Sequence, residues 1–173
     1  FADVLGAGER GDGPQVIGYW AELVSDEESA RALASRLGAR GLAGDLNIDG
    51  SIGSRTASLR APYADSPDSP DRHGIAHCGN AYLTAEQVRD HVCACSLADI
   101  QAGFHVIGDA GADIVIAGLQ GAAAQIGTAK VVAARHRLEH LEMVDADGIK
   151  ALAELGVTAS VQPAFDAHWG GSD

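Results

Sequence analysis

Basic residues are scarce in this chain. Its 173 residues hold 12 Lys and Arg against 24 Asp and Glu, a formal charge of −12. Nucleic acids and anionic membranes are bound by clustered Lys and Arg that displace counterions, so neither is expected as a partner. Cysteine is scarce too. The three, Cys78, Cys93 and Cys95, are odd in number and lack zinc-ribbon or redox spacing, which argues against a disulfide framework and leaves them as small apolar residues. No apolar run is long enough to span a bilayer, and the opening residues show no basic start followed by a hydrophobic stretch; the expected compartment is the cytoplasm. Internal repeats and low-complexity tracts are also missing.

What is present suffices for a core. Hydrophobic residues make up 46% of the chain, so residues 1–173 read as one globular unit or part of one. Pro14-Gln15-Val16-Ile17-Gly18-Tyr19-Trp20 reads as a buried strand, and Ser25-Asp26-Glu27-Glu28 as a capping box opening a helix to about Leu37, which Gly38 ends. Residues 43–49 alternate as a strand does. The stretch 51–80, rich in Pro, Asp, Ser and Gly, reads as a long loop excursion. A second capping box at Thr84-Ala85-Glu86-Gln87 opens a helix to about Gln101, which leads into a strand carrying His105. A helix from Asp109 to about Gln125, a strand ending at His140, a short helix capped by Asp145 and a strand over 157–161 complete the order. Strand and helix alternating in this way favour a parallel sheet with right-handed crossovers. Five strands are fewer than an eight-stranded barrel requires, and a (β/α)8 barrel takes about 250 residues.

The chemistry gathers where strands end. In a parallel barrel the reactive groups sit at the C-terminal ends of the strands, and Asp49, His105, Asp109, His140 and Gln162 fall there. Taken singly, each histidine is better explained as a hydrogen-bonded core residue. The pair, one strand–helix unit apart, points to a divalent metal held about 2.0 to 2.1 Å from each imidazole, with zinc as the first candidate. Alternation groups Gly103, His105 and Ile107 on one face, and His136, Leu138 and His140 on one face of the next strand. Arg137 and Glu139 would then face the helices, an awkward place for charge unless they pair. Arg55 lies in a Gly-rich rim loop that lacks a P-loop ending; it has the reach to clamp a substrate carboxylate or carbonyl, and equally to brace the loop. His73, His77 and Cys78 lack a fourth ligand at suitable spacing and read as a solvated loop.

Four ordered motifs are similar to those of one family. Gly44-Asp45-Leu46-Asn47-Ile48-Asp49-Gly50-Ser51-Ile52-Gly53-Ser54-Arg55-Thr56-Ala57, Phe104-His105-Val106-Ile107-Gly108-Asp109, Arg135-His136-Arg137-Leu138-Glu139-His140 and Ala159-Ser160-Val161-Gln162-Pro163 resemble metal-dependent amidohydrolases, nearest to N-substituted formamide deformylases. The resemblance implies a (β/α)8 barrel, of which this α/β chain is a partial one covering about strands 3 to 7. It makes His105 and His140 metal ligands from strands five and six. It also implies a His-x-His pair on the first strand and an aspartate on the eighth, both without counterpart here. The family's fourth-strand lysine, often carbamylated, is replaced by Asp45, a candidate ligand that cannot be carbamylated.

The expected function is therefore hydrolysis of amide or formamide carbon–nitrogen bonds in a small molecule by a metal-activated water, with one or two divalent ions. Asp49, Arg55, Asp109 and Gln162 are expected to bind substrate or to orient the ligands. Lacking the general-base aspartate, the chain alone is expected to be weak or inactive. The alternative is a non-catalytic truncated barrel that acts as an assembly or binding module, through a homo-oligomer or a complementing barrel segment. A third possibility, an open sheet binding a small metabolite, is weakened by the absence of a nucleotide fingerprint after the first strand.

Overall fold

The computed structural model describes residues 5–6, 14–64 and 77–169. In chain order the elements are α1 (Glu27–Leu37), β1 (Gly41–Leu42), α2 (Ala85–Leu97), β2 (Gln101–Val106), α3 (Asp109–Ile126), α4 (Thr128–Ala134), β3 (Arg137–His140), α5 (Ala146–Glu154), β4 (Thr158–Ser160) and α6 (Pro163–Trp169). The strands form one sheet in the order β1-β2-β3-β4, every pair parallel. Tyr19 adds a parallel bridge to Gly41 on the outer side of β1. This is the α/β architecture expected of part of a (β/α)8 barrel. No helix among the described residues is long and apolar enough to cross a membrane.

Local chemistry explains where the helices start. Thr84 and Gln87 make the reciprocal capping box of α2, and Asp145 accepts the Gly148 N–H to cap α5. The cap of α1 is Asp26, one residue later than the Ser25 box implied, because its carboxylate takes both the N–H and the hydroxyl of Ser29. The core lies between sheet and helices. Ala102, Phe104, Val106 and Leu138 pack there with Val88, Val92, Val115, Leu119 and Val131. Helix α2 buries Cys93 and Cys95 in the same cluster, as small apolar residues.

Several boundaries differ from expectation. The strand expected over 14–20 is reduced to the Tyr19 bridge, and Val16 and Ile17 are exposed beside an edge with no described neighbour. The run 43–49 is not a regular strand. Leu42 pairs with Ala102 and Asn47 with His105, so the four residues 43–46 stand opposite only Gly103 and Phe104. The two extra residues form a bulge, and Gly44, at φ 97°, supplies its left-handed turn. Helix α2 stops at Leu97 rather than near Gln101, and α4 lies where no helix is expected, after Gly127 resets the chain at φ 91°. The excursion after Gly50 runs as turns and bends to residue 64; residues 65–76, His73 among them, lie outside the described residues.

Candidate metal centre

His105 and His140 meet at the C-terminal ends of β2 and β3. Their rings lie edge to face, with centroids 4.6 Å apart. His105 shares a face with Gly103, opposite the helix-side residues Phe104 and Val106, and its side chain is 17% exposed. The Gly50 carbonyl lies 3.0 Å from His105 Nε2, and since a carbonyl only accepts, Nε2 carries the proton and Nδ1 keeps a lone pair.

His140 reaches the same place by a different route. Alternation groups it with His136 and Leu138, but those two are 1% exposed on the helix side, where Ser96 bonds His136 Nε2 at 2.8 Å. The backbone of His140 is left-handed, at φ 71°, and Leu141 follows at φ 49°. This kink breaks the strand's alternation and sends the His140 ring to the face of His105. There its Nδ1 meets Gln162 Oε1 at 2.7 Å, while Gln162 Nε2 points to the Ser160 carbonyl at 3.4 Å. That orientation makes Nδ1 the donor and leaves the lone pair on Nε2 of His140.

The expectation that Arg137 and Glu139 face the helices is corrected by the same geometry. Both lie on the helix-free face. Arg137 bonds Glu139 at 2.5 and 3.2 Å and Ser160 Oγ at 3.1 Å, and its guanidinium sits 5.1 Å from the Tyr19 ring centre. Burial raises the Glu139 pKa, but the hydrogen bonds from Arg137 and Ser160 prevail and hold it below the usual carboxylate value. Gly103 makes room for this layer, since a Cβ there would stand 2.8 Å from Arg137 Cγ and from Ala43 Cβ. The pair thus forms a satisfied ionic layer beneath the histidines.

The other candidates are distributed around the pair. Asp49 is fully buried, and its Oδ1 lies 4.0 Å from His105 Nε2. Asp109 Oδ1 accepts the N–H groups of Arg60 and Ala110. Arg55 is exposed at φ 55°, and its carbonyl accepts from His77 Nε2. Asp45 is exposed in the bulge. Among the described residues no group of three or more His, Cys, Asp or Glu side chains could hold a metal ion, so the structure offers two imidazole donors without a third. Two contributors carry no signal in the sequence. One is the Gly50 carbonyl, a backbone group; the other is the kink at His140, a left-handed backbone at a residue that is not glycine.

The N-terminus of α3, a place where many α/β proteins bind phosphate, is filled from within. Gly108 N–H donates to Asp49, and the Ala110 and Gly111 N–H groups donate to the Ser58 carbonyl.

The profile of the amidohydrolase family matches residues 15–172. The chain belongs to the amidohydrolase family. Two solved structures resemble this chain, both of uncharacterized metal-dependent hydrolases. The one from Pyrococcus furiosus has a TM-score of 0.65 at 22% identity and covers 95% of this chain and 32% of its own. The one from Pyrococcus horikoshii OT3 has a TM-score of 0.65 at 22% identity and covers 94% and 30%. Among curated proteins, LONG AFTER FAR-RED 3 of Arabidopsis thaliana is 28% identical over 116 residues, which are 67% of this chain and 18% of that protein. The chain therefore spans about a third or less of the length of the relatives it matches.

Proposed function

We propose that the protein to which this chain contributes is a metal-dependent hydrolase of carbon–nitrogen bonds, acting on a small amide or formamide as the resemblance to N-substituted formamide deformylases implies. The observation that carries this reading is the paired imidazoles at the strand ends, each held in one tautomer with the opposite nitrogen open. Two neutral imidazoles are a donor set suited to a divalent ion near neutral pH, zinc first among them. His105 would offer Nδ1 and His140 Nε2, as half of a site for one or two ions. A bound ion supplies Lewis acidity, which polarises a carbonyl and activates water. Gln162 holds His140 in its ligand tautomer. Asp45 is the further ligand in this reading and needs a shift of the bulge at Gly44 to reach the pair. Arg55 serves as a clamp on the substrate carbonyl, and Asp109 steadies the rim through Arg60. The buried Cys93 and Cys95 are not joined in a disulfide, which suits a reducing compartment such as the cytoplasm.

With only two donors, the chain alone is expected to hydrolyse weakly or not at all. A second reading, a non-catalytic barrel segment that binds a complementing segment or another copy, is favoured by one observation. Ala159 and Val161 are exposed at β4, the last strand of the sheet.

Elemental analysis of the purified chain beside its His105→Ala variant, with the mass in solution recorded, separates the two. Near-stoichiometric zinc that is lost in the variant supports the hydrolase site. A well-behaved chain that takes up no zinc counts against it and favours the binding segment.

A further inference from the structure

We propose that Asp49 is a positioning residue for His105, one that selects which imidazole nitrogen is left open, and that it contacts neither metal nor substrate. The proposal rests on the reading of His105 as a ligand.

A carboxylate buried to 0% exposure is costly unless its oxygens are satisfied. At Asp49 the compensation comes from the backbone. Oδ1 accepts from Ile107 N–H at 2.9 Å, and Oδ2 accepts from Gly108 at 2.7 Å and Ser58 at 2.9 Å. With these three bonds one side chain joins the exit of β2, the loop at residue 58 and its own segment after the bulge. It also stands at the N-terminal end of α3, where the helix dipole favours a negative charge and where Gly108 provides no side-chain cap. Gly111 keeps the place open, because a Cβ there would lie 2.7 Å from Asp49 Oδ2.

The link to His105 is a closed circuit. From His105 the chain runs two residues to Ile107, whose N–H bonds Asp49. The next residue, Gly50, returns its carbonyl to His105 Nε2 at 3.0 Å. Asn47 also bridges His105, with Ile48 N–H donating to the His105 carbonyl and His105 N–H to the Leu46 carbonyl. Losing the carboxylate's hold on Ile107 therefore loosens the register between the Gly50 carbonyl and the ring, although Gly50 N–H stays bonded to Thr56, and with it the preference for the Nε2–H tautomer weakens.

The test is the tautomer of His105 in the full metal-free chain, read from its imidazole nitrogen shifts by NMR at a pH where the ring is neutral. His91 and His136 act as internal fold controls. Each accepts a backbone N–H at Nδ1, from Val24 and Ala102, and so is held as Nε2–H by contacts remote from Asp49. In Asp49→Asn one oxygen is replaced by an NH2 that faces donors, so His105 should pass from Nε2–H to a mixture of tautomers while His91 and His136 keep theirs. Gly111→Ala, which presses on Oδ2 without changing its charge, should shift His105 in the same direction. The proposal is overturned if His105 stays Nε2–H in both variants with the two controls intact, or if both variants lose the controls, which would make Asp49 a folding residue. A chain that fails to bind zinc would leave this readout unchanged, so failure of the hydrolase reading is distinguishable.

Discussion

At His140 the backbone stands at φ 71°, in a region that costs a non-glycine residue roughly 1–2 kcal/mol. The neighbouring contacts that hold it there, Gln162 on Nδ1 and the His105 ring, are those of the candidate site. Because Gln162 fixes the tautomer, Gln162→Leu should weaken zinc binding by about 10- to 100-fold, the usual cost of losing a partner behind a ligand, as measured by competition with a chromophoric chelator. The two histidines were legible as strand-end residues, but how they come together was not. Alternation holds only while the strand is regular, and it fails at the residue that matters. It also misassigned Arg137 and Glu139, whose mutual pairing on the helix-free face removes the difficulty of charged residues against helices. The buried His136 gives a second residue-scale consequence. Burial, with a smaller push from His91, lowers its pKa from 6.5 to about 4. The unfolded chain then binds more protons between those values, so stability is full above pH 6.5 and falls as pH drops from about 6.5 to about 4, by at most about 3 kcal/mol. Urea midpoints measured across that window should show the fall, and His136→Leu, though less stable at pH 8, should show a shallower one.

At the scale of elements, the helix starts were the most readable part of the chain, because a cap is a local transaction between side chain and backbone. The α2 box at Thr84 and Gln87 is an example. Thr84→Ala should cost about 1 kcal/mol, read as a lower urea midpoint with unchanged slope. Irregularity was not readable. The bulge at 43–46 is defined by pairing to a strand far away in sequence, and the seven residues of α4 are too few for a periodic signal. The rim loop was expected as a loop, yet it is tied down over residues 57–60. Arg60 grips Asp113 on α3 and Asp145 at the start of α5, and these hydrogen bonds raise its pKa further. All three groups are exposed, so their value as a strap depends on salt more than on burial. Arg60→Ala should make the segment after Gly50 more susceptible to limited proteolysis, and high salt should narrow the difference from the parent chain.

For the whole molecule the decisive feature is a parallel sheet with two outer strands. In a closed barrel each strand has two neighbours, whereas among the described residues β4 pairs with β3 alone, and the Tyr19 run with β1 alone. The apolar residues left at these borders match that geometry. Val16 and Ile17 are exposed at one side, and Val161 and Phe165, at 53% and 44%, at the other. Unpaired strand edges beside exposed apolar side chains favour association with further chain. The relatives that share the fold extend well beyond the matched segment, so a complementing segment and a second copy of this chain compete for the same borders. The chain on its own should therefore self-associate as its concentration rises, and sedimentation velocity over a wide concentration range would show the rise in mass. Val161→Lys places a charge beside the β4 border without touching the core, and it should shift the distribution toward monomer while leaving the circular dichroism spectrum unchanged. A chain that stays monomeric throughout would mean that these borders are satisfied within the chain, and the case for a completing partner would lose its physical basis.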